Sequence, residues 1–373
     1  MKIAFVIDQY SQGNNGTTMT VRRFAETLTA HGHEIVVICG KGSGNEKVYQ
    51  TGEIHYIAFK NLIHKQGMIF AKYNKKIVEE AIKDCDVVHF LLPFGLEKKT
   101  KKLCDKLNIP TTSAFHCQPQ NISSTAHLGK SKFVNWILFR YFRRFYNKFN
   151  DIHCPSIMIR DELIKNKYKS NLHVISNGIT DYFHKIDAVR PEFLKDKICI
   201  VMTGRYSIEK RQDLLINAVK NSKYENRIQL ILCGQGPWQK KLEKLSKDLT
   251  NKPMMGFHTP EELRYILSYS DLYVHCSDAE IEGMACTEAF ACGLVPIISD
   301  SKKSATGQFA ITNESLFKAG DYLDLRDKID YLLDNPQRKA ELSRLYIEES
   351  KKYLIDNCVK QFEKEILEKA IKK

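Results

Sequence analysis

The 373-residue chain has no run of eighteen apolar residues, which excludes a membrane-spanning helix. It has no close CxxC pair among its eleven cysteines, and Cys39, Cys199 and Cys233 sit inside apolar runs. Reduced thiols in a cytosol are therefore expected, in place of a disulfide framework or a zinc site. No fixed-period repeat, low-complexity tract or GxGxxG fingerprint is present. The opening MKIAFVIDQY turns polar too soon for a signal peptide and is expected to form a first strand. Acids are in deficit: Lys plus Arg number 57 against 44 for Asp plus Glu, a formal charge of +13. That balance favours anionic partners such as nucleotide phosphates, nucleic acid or an acidic membrane surface.

What is present reads as an α/β protein. The length favours two domains over one core, and short apolar runs alternate with helical patterns throughout, as in parallel sheets of βαβ units. Expected strands in the first half are KIAFVID, EIVVICG, IHYIAF, DVVHFLL, PTTSAFH, DIHCPS and LHVISNG; in the second they are ICIVMTG, IQLILCG, DLYVHCS and LVPIIS. The second series restarts after the polar stretch DYFHKIDAVRPEFLKDK. The expected division is thus a first domain at 1–180, a linker at 181–197, a second domain at 198–350 and a C-terminal helix at 351–373 that packs back on the first domain.

Ligands of open parallel sheets sit beyond the carboxyl ends of the strands, so residues after strands carry the information. After DLYVHCS comes EIEGMACTEAFACG, in which Glu280, Glu282 and Glu288 crowd a small-residue stretch. Gly283 allows a tight turn, a short helix follows, and Gly293 stands where a helix would stop. Amides near Gly283, Met284 and Ala285 could bind an anion, while Glu280 and Glu288 could grip neighbouring hydroxyls, which together suits a nucleotide sugar. Acids favoured by a helix start explain the same residues. After ICIVMT, the turn TGRYSIEKR places Arg205 and Lys210 where both could meet a diphosphate, or where both are simply solvated. The loop at 13–16 taken alone is only a turn. His116 after PTTSAFH could be a core histidine, and Asp84-Cys85-Asp86 precedes a strand instead of following one, so no metal is expected there.

Together these residues resemble the family-four glycosyltransferases of the GT-B fold, a retaining group that includes sucrose synthases and many bacterial glycolipid and polysaccharide enzymes. The E-x7-E signature is Glu280 and Glu288 followed by EAFACGLVPI; the basic element is Arg205 and Lys210; VISNGI (174–179) resembles the hallmark that closes the first domain. Departures are Ile281 and Glu282, where glycine and an aromatic are usual, and Asn15-Gly16 in place of a glycine pair. The resemblance implies two Rossmann-like domains facing each other across a cleft. It implies retaining transfer of a hexose, by default glucose, from a UDP-sugar, with no cofactor and no metal. By the same resemblance Arg205 and Lys210 neutralise the diphosphate, Glu280 holds sugar hydroxyls and Glu288 the ribose. Backbone near Phe257 takes the base, Gly204 and Gly234 line the donor turns, Gly16 and Thr17 face the donor phosphate, and His116 touches the sugar.

The segment 130–149, KSKFVNWILFRYFRRFYNKF, holds six basic residues, eight aromatics and no acid. On a helical wheel Val134, Leu138, Tyr141, Phe142, Phe145 and Phe149 share one face, with Arg140, Arg143, Arg144 and Lys148 beside it. Such a helix, with Trp136, can lie in an anionic membrane interface, or its stripe can pack into the domain. The preceding HCQPQNISSTAHLG resembles a segment of bacterial diacylglycerol glycosyltransferases, which favours a lipid acceptor such as diacylglycerol or a glycolipid. The expected setting is cytoplasmic, peripheral to the inner face of the cell membrane. A soluble transferase extending a polysaccharide or other glycan is the alternative. A nucleic-acid-binding protein is a remote one, since no RNA or DNA module is recognisable.

Overall fold

The computed structural model of the chain describes residues 1–10, 16–54, 69–119 and 131–372. They form two units: residues 1–178 with 355–373, and residues 179–354.

The first unit carries β1 (Lys2–Val6), β2 (Gln9–Tyr10), β3 (Glu34–Cys39), β4 (Lys41–Gly42), β5 (Lys47–Gln50), β6 (Val87–Phe90), β7 (Thr111–Ala114), β8 (Asp151–Cys154) and β9 (Asn171–Val174). Seven of them make one sheet in the order β5-β3-β1-β6-β7-β8-β9, and β2 pairs separately with β4. Every pairing in the seven-stranded sheet is parallel. Strands buried on both faces explain the continuous apolar runs. The short β5 was missed because KVYQ is neither long nor strongly apolar. The expected strand IHYIAF lies, but for Ile54, outside the described residues.

Helix Lys132–Tyr146 is capped by Ser131, whose hydroxyl accepts the Val134 amide at 3.3 Å. Its inner face packs on the sheet: Phe142, Phe145 and, just beyond the helix, Phe149 are buried against Phe94 and Phe90, and Tyr146 lies against Phe115. The expected stripe is corrected in two places. Tyr141 points outward, and Phe139, absent from the wheel, is buried. The real angular width of the packed face is set by the sheet beneath it.

Residues 355–373 return to this unit. Phe362 packs on Phe24, His89 and His153, at ring-centroid distances of 5.2, 5.0 and 5.7 Å. His31 and His33 meet Glu363, His31 also meets Asp356, and His173 bridges Glu365 and Asp151. Gly178 of VISNGI packs on Ile355, and its carbonyl accepts from Arg23 at 3.1 Å.

The second unit carries β10 (Ile198–Thr203), β11 (Ile228–Cys233), β12 (Met254–Gly256), β13 (Leu272–His275), β14 (Pro296–Ser299) and β15 (Leu316–Phe317) in the parallel order β12-β11-β10-β13-β14-β15. The stretch 181–197 expected as a linker belongs to this unit: Phe183 and Leu194 enter its core, and Arg190 is ion-paired with Asp271 at 3.0 Å. Two apolar side chains among many polar ones are enough to dock it. All eleven cysteines are buried thiols.

In both sheets the strand order reverses beside the first strand, between β1 and β6 and between β10 and β13. Such switch points open a crevice at the strand ends.

A row of imidazoles runs through the first unit. His89, His116 and His153 are buried, and burial holds all three below the usual histidine range, His153 at about 4 and His116 at about 3. Protons arriving below pH 6.5 therefore bind the unfolded chain and not the fold. The stability these groups contribute is complete above 6.5 and is lost as pH falls toward 4. The expected outcome is a melting temperature that drops over this window. A His153→Gln variant, followed by denaturation at stepped pH, should show a slope shallower by one proton, about 1.4 kcal/mol per pH unit. Equal slopes would refute the assignment.

Candidate active site

In the second unit the β10 and β13 ends bring the basic turn and the acidic cluster to one switch point. Three strand-end turns are joined through their backbones. Gly204 N–H donates to Cys233 O at 2.9 Å, and Gly234 N–H donates to Gly256 O at 2.7 Å. A β-carbon on Gly234 would overlap the Gly204 carbonyl, so only glycine permits this approach. Tyr206 locks the three turns: its hydroxyl donates to Leu232 O at 2.5 Å and accepts from Gly256 N at 3.1 Å. Tyr206 was not among the expected site residues, because a tyrosine inside a basic turn carries no sign of its burial.

On this turn the two cations differ. Arg205 is exposed, and no carboxylate among the described residues pairs with it. Lys210 is ion-paired with Glu280, its ammonium donating to Oε1. His275 Nε2 lies 3.2 Å from the same oxygen, and His275 Nδ1 lies 3.1 Å from the Tyr273 hydroxyl. Burial works against ionising Glu280. The Lys210 charge and the His275 contact outweigh it and hold the carboxyl well below the usual carboxylate range. Glu280 therefore presents a fixed anion. His275 is a second residue the sequence did not single out; a lone histidine closing an apolar strand looks like core.

Glu280 is held from behind as well, its amide donating to Lys303 O at 3.3 Å and its carbonyl accepting from Ala305 N at 2.9 Å. Gly283 then turns the chain at φ +93° into helix Met284–Ala291. The amides of Met284 and Ala285 precede the first helical bond, from Cys286 N to Gly283 O at 2.9 Å. Glu288 is buried in this helix, and Gly293 follows its end at φ +91°. Phe257, just after β12, is 56% exposed.

In the first unit, helix Gly16–Ala30 begins at Gly16 and Thr17, while the loop residues 11–15 before it lie outside the described residues. His116 is neutral and buried, edge-on to His153 at 5.5 Å, with no partner on Nε2. It can exchange hydrogen bonds but is not an acid at neutral pH. The switch point here holds a feature the sequence hid: Asp8, after β1, and Glu97, in helix Gly95–Leu107 after β6, are both buried. Asp8 Oδ1 accepts the Ala71 amide at 2.7 Å. Burial raises Asp8 to about 6, and burial together with the Asp8 charge raises Glu97 well above the carboxylate range. Burial thus favours the protonated form of both, and of Glu97 more strongly.

Of the residues expected at a membrane, Trp136, Arg140, Arg144 and Lys148 are exposed. Arg143 is the exception. It is half-buried and donates to Asn166 O at 2.8 Å, so it ties the helix to its neighbour.

Two family models match the chain. "Glycosyltransferase Family 4" covers residues 14–181, and "Glycosyl transferases group 1" covers residues 185–353. Among curated proteins, an alpha-monoglucosyldiacylglycerol synthase of Streptococcus pneumoniae is 21% identical over 80% of this chain and 71% of its own. A GDP-mannose-dependent alpha-mannosyltransferase of Corynebacterium glutamicum is 24% identical over 85% of this chain and 75% of its own. Among solved structures, Anabaena Alr3699/HepE, crystallised with UDP and glucose, superposes with a TM-score of 0.73 at 16% identity, covering 98% of each chain.

A substitution tests the turn before the helix. In Gly283→Ala the new methyl would meet the Thr306 side chain at a left-handed φ, a combination expected to cost about 1–3 kcal/mol in chemical denaturation. Gly256→Ala, with open space at its β-carbon, is the control and should stay near wild type.

Proposed function

The chain belongs to the family 4 glycosyltransferases and has their GT-B fold, and on that premise we propose that it is a retaining hexosyltransferase that uses a UDP-sugar and a membrane lipid acceptor. The donor half of the reading rests on the β10–β13 switch point. A free Arg205 stands on the same turn as Lys210, and Lys210 is already joined to an ionised Glu280. Charge on a departing diphosphate grows as the glycosidic bond breaks, so cations fixed on this turn act most strongly in the transition state. Glu280 holds sugar hydroxyls, Glu288 the ribose, and the free amides of Met284 and Ala285 a phosphate oxygen. In this reading the acceptor enters from the face the leaving group departs, through an oxocarbenium-like state without a covalent enzyme intermediate. A metal is not needed for a leaving group neutralised in this way.

For this donor chemistry, Arg205→Ala is expected to lower kcat by about a hundredfold while free UDP still binds. Glu288→Ala should chiefly raise the donor KM. Hydrolysis of UDP-glucose should persist in EDTA. Unchanged turnover in Arg205→Ala, or complete loss in EDTA reversed by magnesium, would refute the assignment. If GDP-mannose is turned over and UDP-glucose is not, the nucleotide is corrected and the turn keeps its role.

One observation carries the acceptor half. Phe133, Trp136, Ile137 and Tyr141 are 69%, 56%, 44% and 51% exposed and share one stripe of helix Lys132–Tyr146 with Arg140 and Arg144. Phe133 stacks on Trp136 at 6.2 Å, and Lys98 of the neighbouring helix lies 3.6 Å above the Tyr141 ring, with Lys102 one turn further on. Large apolar groups ringed by cations suit an anionic bilayer surface, where each cation contributes about 1 kcal/mol. No helix among the described residues is long and apolar enough to cross a membrane. The relative named as a diacylglycerol glycolipid synthase points the same way.

The wild-type protein is expected to sediment with phosphatidylglycerol vesicles at low salt and to be released at high salt. Trp136→Glu combined with Arg140→Glu and Arg144→Glu should abolish sedimentation and spare sugar-nucleotide hydrolysis. A wild-type protein that stays in the supernatant would overturn the lipid reading in favour of a soluble glycan acceptor.

A further inference from the structure

We propose that His275 is a positioning residue for Glu280, using its Nε2–H to fix which carboxylate oxygen faces the sugar. The inference rests on the reading of Glu280 as the group that binds donor hydroxyls. The two side chains sit five residues apart, one closing β13 and the other in the turn that follows. Glu280 Oε1 receives both Lys210 and His275, while no hydrogen bond reaches Oε2 from the described residues. Lys210 alone, a flexible ammonium on a long stem, would leave the carboxylate free to rotate. A second donor from a buried ring removes that freedom. His275 and Tyr273 are both buried at the strand end, so the ring cannot follow a wandering carboxylate.

The orientation of the imidazole is itself set from behind. Glu280 is an ionised carboxylate and can only accept, which leaves Nδ1 to accept from the Tyr273 hydroxyl at 3.1 Å. The ring then carries its proton on Nε2, facing Glu280. The chain of contacts therefore runs from Tyr273 through His275 to the acid proposed to hold the sugar, where Lys210 of the turn proposed to hold the diphosphate meets it. A sugar nucleotide in this site would have both of its ends registered by one hydrogen-bonded unit.

The test uses the full-length protein, UDP-glucose hydrolysis without acceptor, and calorimetric binding of free UDP. A hydrogen bond to a charged group lost from a positioned site corresponds to about a ten- to hundredfold effect. His275→Phe fills the space without a donor and should lower kcat/KM by that factor, with free UDP affinity unchanged. His275→Gln carries an amide N–H near the Nε2 position and should return kcat/KM to within about threefold of wild type. A purely structural role predicts that the aromatic replacement is the better tolerated of the two. Wild-type activity in His275→Phe, or a Gln variant as impaired as Phe, would overturn the proposal. If thermal melting shows that the Phe variant does not fold, His275→Asn takes its place; its amide is too short to reach Glu280 and should show the same loss. Glu280→Gln separates the two levels of inference. If it is fully active, the reading of Glu280 fails; if it is inactive while His275→Phe is wild type, only the positioning role fails.

Discussion

A carboxylate held ionised in a half-buried place loses solvation that something nearby has to restore, and the second unit is arranged around that demand at Glu280. Lys210 supplies a charge, His275 supplies a donor, and the backbone on either side of Glu280 is tied to the 303–305 segment. Each partner comes from a different strand end. Lys210 follows β10, His275 closes β13, and residues 303–305 follow β14. The site can therefore exist only where parallel order sets these ends side by side, and β13 has to neighbour β10 for Lys210 to reach Glu280 at all. Glycine at 234 lets the adjoining turns approach closely enough to stay fixed while the charges sit at their rim.

The first unit meets the same electrostatic demand in the opposite way. Where the second unit recruits charge to keep an acid ionised, burial in the first pushes five groups toward their neutral forms. Three imidazoles stay unprotonated, and Asp8 and Glu97 are both raised, Glu97 well above the carboxylate range. The two responses have opposite pH signatures. The histidines weaken the fold as pH falls below 6.5, whereas the carboxyl pair favours it as pH falls through about 6, because the folded pair binds its proton more tightly than the unfolded chain.

Helix Lys132–Tyr146 divides its aromatic side chains between a buried and an exposed face. Spacing alone puts Tyr141 on one face with Phe142 and Phe145 and leaves Phe139 off it, because it says nothing of the surface beneath the helix. The sheet takes Phe142 and Phe145 together with Phe139, and leaves Phe133, Trp136, Ile137 and Tyr141 outside. Arg143 turns inward to cap a neighbouring carbonyl, while Arg140 and Arg144 remain on the outer stripe. One face thus meets the packing role, and the other is the face on which the lipid reading rests.

Sequence by itself determined the parts governed by local pattern. Apolar runs between helical periods specify buried parallel strands, glycines mark strand-end turns, and the E-x7-E and basic elements carry the resemblance to the family. Tertiary structure decided whatever depends on neighbours distant in the chain. It assigned Lys210 to Glu280 and left Arg205 free, drew residues 181–197 into the second unit through Phe183 and Leu194, and paired Asp8 with Glu97 across 89 positions of sequence. It also made His275, a histidine that reads as ordinary core, the second donor to the acid at the site. The physical reason is common to all of these. Burial and protonation depend on which groups share a volume, and strand order, which no local run of residues encodes, determines that.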